Sequence, residues 1–116
     1  MTRPHYNLLA WQTAIALVKE VYKLTQSFPS SEIYGLSAQM RRAAVSVPSN
    51  IAEGAGRTGP KEFAQFLSIA KGSLSELETQ LFIAAELGYI ARGHEAFGLL
   101  EEVSRLLAGL HKNVLR

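Results

Sequence analysis

Phe63, Leu67, Ala70, Leu74, Leu77, Leu81 and Ala84 alternate steps of four and three through three heptads. An apolar stripe with that period occupies one side of an α-helix and demands another helix packed against it. No segment of useful length alternates apolar and polar residues with a period of two, so no strand is expected. The chain is therefore constrained to helix-on-helix packing.

Three further helices complete that packing. Asn7 is a good N-cap for a first helix ending near Ser27-Phe28-Pro29. Within it, Leu8, Trp11, Ile15, Val18 and Tyr22 form one apolar row, with Ala14, Leu17, Val21 and Leu24 beside it. So broad a stripe suits more than one neighbouring helix, one of them from another subunit. Pro29 to Gly35 reads as a connector with one helical turn at SSEIY, after which Ser37 caps a second helix running to about Gly56. Pro48 inside it predicts a kink, or a split into two pieces; the unbroken stripe from Met40 through Ile51 favours one kinked helix. Gly54, Gly56 and Gly59 mark the next break, and Pro60 suits the first turn of the third helix. That helix ends at a glycine cap, Leu87-Gly88-Tyr89. A fourth begins near His94, with Phe97, Leu100, Val103, Leu107, Leu110 and Val114 inward. Short links then give an all-α, antiparallel up-down-up-down four-helix bundle, a single domain over residues 1–116.

Composition excludes several function classes. With 47% hydrophobic and 19% charged residues the chain is globular, not disordered. It contains no cysteine, so neither disulfides nor thiolate metal sites can form. No signal-peptide core and no apolar run of about 18 residues is evident, so a soluble cytoplasmic protein is expected, with no membrane contact. The net charge of +2 is unevenly spread. Arg41 to Lys61 holds four positive residues against Glu53 alone, a balance of +3. Lys71 to Glu102 holds two against six glutamates, a balance of −4, and Arg105 to Arg116 returns to +3. Such segregation permits an anionic partner, or like subunits joined basic surface to acidic surface.

The second helix carries an unusual polar stripe. Met40, Ala43, Ala44, Val47 and Ile51 form its apolar face, while Arg42, Ser46, Ser49, Asn50, Glu53 and Arg57 fall within about 100° on the other side. Solvated faces tend to mix glutamate and lysine; this one has arginines, short hydrogen-bonding groups and one carboxylate. Three readings stay open: an internal salt bridge of Glu53 with Arg57 and Arg42, a subunit contact, or a phosphate-binding surface.

Other candidates carry less chemistry. His5, His94 and His111 are the only imidazoles, and none has the Glu-x-x-His spacing of a di-iron bundle, so no metal or other cofactor is expected. Glu76 with Glu78, and Glu101 with Glu102, lack a neighbouring nucleophile or base and read as solvated faces. Gly72-Ser73 inside the third helix suggests close helix contact, because glycine there costs about 1 kcal/mol. GAGRTGPK, Gly54 to Lys61, lacks the GxxxxGK[ST] register of a phosphate loop and follows a helix instead of a strand. Arg57 and Lys61 at a helix mouth can still hold a phosphate.

At these residues a resemblance emerges. QMRRAAVSVPSNIAEGAGR (Gln39–Arg57) and EFAQFLSIAKGSLSELETQLFIAAELGYI (Glu62–Ile90) resemble the 23S rRNA intervening-sequence proteins, and LLAWQTAIALVKEVYKLTQSFPSSEIYGL fits the same pattern. The resemblance implies an antiparallel four-helix bundle in a ring, commonly a homopentamer, with no enzymatic activity. A related branch, the accessory protein of diversity-generating retroelements, binds a reverse transcriptase and nucleic acid through a basic surface.

The expected partners are copies of the chain itself, structured RNA or DNA, or another protein. For nucleic acid, Arg41, Arg42, Arg57 and Lys61 are the candidate phosphate contacts, with Asn50 nearby as a hydrogen-bonding group. The competing expectation is a structural or scaffolding oligomer that binds a protein and no nucleic acid. No catalytic residue is expected, because no nucleophile, base and orienting group fall in register.

Overall fold

A computed structural model describes residues 3–116. Its four helices are α1 (Leu9–Thr25), α2 (Leu36–Ala55), α3 (Pro60–Glu86) and α4 (Glu95–Val114). At about 1.5 Å per residue α3 is about 40 Å long. It accounts for the long dimension of a molecule measuring 43 × 24 × 22 Å.

The seam on α3 is where its spacing put it. Leu67, Ala70, Leu77, Leu81 and Ala84 are fully buried and Leu74 nearly so, with Phe63 half-buried at the open end. Each fully buried leucine contributes about 1.5–3 kcal/mol relative to exposure. They meet Leu17, Met40, Ile51 and Leu107 from the other three helices in one core. On α1 the two apolar rows differ: Ala14, Leu17, Val21 and Leu24 are buried, whereas Ile15 and Tyr22 remain 42% and 41% exposed.

Specific contacts fix the chain directions. Ser46 meets Ser73, and eight residues further along α2 Gly54 meets Phe66, so α2 and α3 run antiparallel. Phe82 packs against Phe97 at 5.2 Å while Lys61 shares a cleft with Val114, so α3 and α4 are antiparallel too. Arg41 reaches Thr25 while Ala52 lies near Trp11, giving the same relation for α1 and α2. Leu99 of α4 borders the cleft beside Ala16 and Lys19 of α1, closing the four-helix circuit.

Helix ends depart from several expectations. Asn7 is not the N-cap of α1. It closes a 3-10 turn over Pro4–Asn7, and Leu8 precedes the helix with no side-chain cap. Proline at the first position starts that turn early. Ser37 is not the cap of α2 either; it lies buried inside the first turn. The Leu36 N–H instead donates to Glu32 Oε1 at 3.1 Å. α2 continues through Pro48 as one helix, so the two-piece alternative fails. α3 ends as its glycine suggests: Gly88 takes φ +80°, with Tyr89 N–H donating to Ala84 O at 2.9 Å and Gly88 N–H to Ala85 O at 3.0 Å. That is the paired-bond glycine cap.

Gly72 overturns one expectation. A Cβ placed there would meet nothing within 4 Å, so no neighbouring helix of the same chain presses on it. The close helix approach occurs at Gly54 instead. A Cβ there would stand 2.8 Å from Phe66 Cβ and 3.2 Å from the Phe63 carbonyl oxygen.

Candidate functional site

The polar stripe of α2 resolves into separate contacts. In its centre Asn50 Nδ2 donates to the Ser46 carbonyl at 2.8 Å and to Ser46 Oγ at 2.9 Å. Ser46 Oγ meets Ser73 Oγ of α3 at 2.8 Å. Ser46 Oγ can accept from Asn50 and still either donate to Ser73 Oγ or accept from it. Asn50, Ser46 and Ser73 thus tie α2 to α3 by a continuous hydrogen-bond chain.

At the C-terminal end of the stripe, Arg57 pairs with Glu53 at 2.9 Å, and Glu62 of α3 stands 3.9 Å away. The guanidinium also covers the Phe66 ring at 5.0 Å. Arg57 and its carboxylates are about half exposed. Such a pair contributes a few tenths of a kcal/mol, and its main effect is to hold the α2–α3 turn. Arg42 does not join it. Eleven residues of helix place Arg42 about 16 Å from Glu53. It is exposed beside Ser73 and Glu76, and among the described residues it has no carboxylate oxygen within 4.0 Å.

Arg41 faces a different neighbour. Its Nε donates to Thr25 Oγ1 at 2.8 Å, and its guanidinium lies 4.7 Å above the Tyr22 ring. Both contacts hold α1 against α2. The five candidate residues therefore form no single cluster: Arg41 lies at α1, Arg42 and Asn50 along the α2–α3 groove, and Arg57 and Lys61 at one end.

That end gathers charge that the sequence keeps apart. Antiparallel packing brings the end of α2, the start of α3 and the end of α4 together. Lys61 lines one cleft with His111, Val114, Leu115 and Arg116. Arg3, Arg57, Lys61, Lys112 and Arg116 thus lie toward one end of the bundle against Glu53 and Glu62. The opposite end carries Glu32, Glu86 and Glu95 against Lys23, Arg41 and Arg92, with Arg92 paired to Glu86 at 3.2 Å. Parts of both +3 segments meet at the first end, which neither segment alone reveals.

Sequence reasoning missed two polar devices. His94 precedes α4, and its Nδ1 accepts the Ala96 N–H at 3.0 Å as a side-chain N-cap. That leaves the proton on Nε2, which stands 3.9 Å from Glu20 Oε1. Glu32 caps α2 through Oε1 and accepts the Tyr89 hydroxyl through Oε2 at 2.9 Å. Histidine and glutamate are unusual in these roles, so the ordinary capping preferences pointed to Ser37 for α2 and to no side-chain cap for α4. Among the described residues, no three His, Asp or Glu side chains are grouped to hold a metal ion. No described helix is long and apolar enough to cross a membrane.

The family model described as 23S rRNA-intervening sequence protein matches residues 6–109. No curated protein matches the chain. The matched span includes all of α1, α2 and α3 and most of α4.

Proposed function

The chain belongs to the 23S rRNA-intervening sequence protein family, and from that membership we propose a non-enzymatic, cytoplasmic bundle that assembles into a homo-oligomeric ring and holds structured RNA or DNA. The observation that carries the nucleic-acid part is the basic end. Arg3, Arg57, Lys61, Lys112 and Arg116 gather there from separate parts of the chain. Clustered cations suit a phosphate backbone read by charge, without base selection. Of the sequence candidates, Lys61 and Arg57 belong to this surface, while Arg41 is occupied by α1.

Binding to an RNA hairpin and to duplex DNA, followed across a salt series, tests the reading. Affinity should fall steeply with salt, and the log–log slope on duplex DNA should drop by about 0.9 for each lysine lost in Lys61→Ala and Lys112→Ala. Absent binding at low ionic strength, or a slope unmoved by both changes, would remove the nucleic-acid part.

A second reading is a scaffolding oligomer that binds a protein partner. It is favoured by the opposite end of the bundle, where Tyr34 is 96% exposed beside Ile33 at 58%, with Leu87 at 55%. Large apolar side chains left in water suit a protein contact. Tyr34→Ser should then abolish recovery of a protein cross-linked in cells and leave nucleic-acid recovery unchanged.

A further inference from the structure

We propose that unpaired bases of a bound strand stack on the aromatic cluster of His5, Tyr6 and Trp11, at the mouth of the groove between α1 and α2. The inference rests on the nucleic-acid reading above and narrows its ligand to single-stranded segments, such as the loop of an RNA hairpin.

The cluster is built locally. Arg3 O accepts the Tyr6 N–H at 3.1 Å to close the 3-10 turn, and Gln12 Nε2 of α1 donates to Tyr6 O at 2.7 Å. The turn rests on both α1 and α2. Its His5 ring stands 5.0 Å from Trp11 and 4.8 Å from Tyr6, edge to face in both pairs, and Tyr6 lies 5.7 Å from Trp11. These rings are not sealed into the core: Tyr6 is 42% exposed, and His5 and Trp11 are half-buried. His5 and Trp11 line the groove together with Ile15, Val45, Pro48 and Ala52. Its volume of about 290 Å³ falls at the foot of the roughly 300–1,000 Å³ that encloses a larger ligand. A flat ring laid against the wall suits it better than a bulky molecule.

Charge selects the occupant. No carboxylate lines the groove. Glu53, one residue past Ala52, is held by Arg57 at 2.9 Å. Arg3 lies two residues before His5, and Ala52 lies one turn before the end of α2, where the chain passes through Arg57 to Lys61. The aromatic cluster therefore shares the basic end. Among the described residues, Arg3, Lys61, Lys112 and Arg116 have no carboxylate oxygen within 4.0 Å. An occupant that satisfies both parts brings flat rings and repeated negative charge together, as unpaired nucleotides do. A duplex keeps its ring faces inside its own stack, and an apolar protein segment brings no charge for the cations. Stacking of this kind accepts any base, so it adds affinity without a sequence preference.

Trp11 is the only tryptophan, so its fluorescence reads the site in the unaltered chain. A short oligouridylate at low ionic strength should quench it, whereas an abasic strand of the same length and an RNA duplex should bind without quenching. The abasic strand should bind about tenfold more weakly or worse, the loss expected for one stacked base. Tyr6→Ser should lower oligouridylate affinity by a similar factor. Equal affinity for oligouridylate and the abasic strand, or equal quenching by both, would overturn the stacking site and leave binding by charge standing. No binding of any of the three would remove the nucleic-acid reading and the site with it. Quenching by an acidic amphipathic peptide and not by oligouridylate would also overturn the proposal, and would assign the groove to a protein.

Discussion

Gly54 of α2 lies so close to Phe66 of α3 that a Cβ on the glycine would stand 2.8 Å from the Cβ of the phenylalanine. The same Cβ would also press on the Phe63 ring and its carbonyl oxygen, so backbone as well as side chain would have to yield. The glycine of the NIAEG segment is thus a spacing device. It lets the end of α2 approach the start of α3, and Arg57 then closes over Phe66.

Alanine should act in opposite directions at two glycines. Gly54→Ala should destabilise the fold by about 1–3 kcal/mol, because overpacking outweighs the gain of about 1 kcal/mol in helix propensity. Gly72→Ala fills open space and should stabilise the isolated subunit by up to about 1 kcal/mol. Urea unfolding of both variants, at a concentration where association is held constant, measures the two signs. Equal shifts in the same direction would refute the α2–α3 spacing argument.

The Asn50–Ser46–Ser73 chain predicts coupling between helices. Ser73→Ala should cost about 0.5–1.5 kcal/mol, since the Ser46 hydroxyl loses its partner. Once Ser46→Ala is in place, the same change should cost clearly less. A double-mutant cycle by urea unfolding reads the difference. Simple additivity would show that the two serines do not stabilise each other.

Alkaline stability should depend on Tyr89. The carboxylate of Glu32 accepts the Tyr89 hydroxyl, and that hydrogen bond raises the phenol above its usual 10.0, with smaller contributions from desolvation and from the carboxylate charge. The folded state therefore keeps this proton after the unfolded chain has released it. Stability from the pair is fully present below the unfolded value and declines as pH rises through the raised folded value. Tyr89→Phe should remove that part of the alkaline decline. Thermal melts between neutral pH and the alkaline limit, compared for both chains, check it; parallel curves would count against the pair.

The seam from Phe63 to Ala84 and the cap at Gly88 were legible because both depend on local rules, helical period and left-handed backbone. The single helix through Pro48 was legible because its apolar stripe continues on either side. The polar stripe was not. Period places Arg42 and Arg57 on one side of a single helix, but α2 ends at Ala55 and Arg57 lies in the turn beyond it, so the two stand apart beside different neighbours. The basic end needed chain direction as well, since Lys61 and Arg116 meet only when α3 and α4 run oppositely. Gly72 reads from the sequence as a point of close helix contact, and the packing within the subunit leaves open space there instead.

His94 supplies the last prediction. Its Nδ1 accepts the Ala96 N–H at the start of α4, a role more often taken by asparagine, serine or aspartate. His94→Ala leaves that donor without its side-chain acceptor and should cost about 0.5–2 kcal/mol. His94→Asn restores the cap but discards the Nε2 that faces Glu20 at 3.9 Å, a contact worth little at that length. Asparagine should therefore recover most of the loss. Urea unfolding separates the two roles: recovery identifies the cap as the stabilising contact, whereas equal loss in both variants would assign it to Glu20.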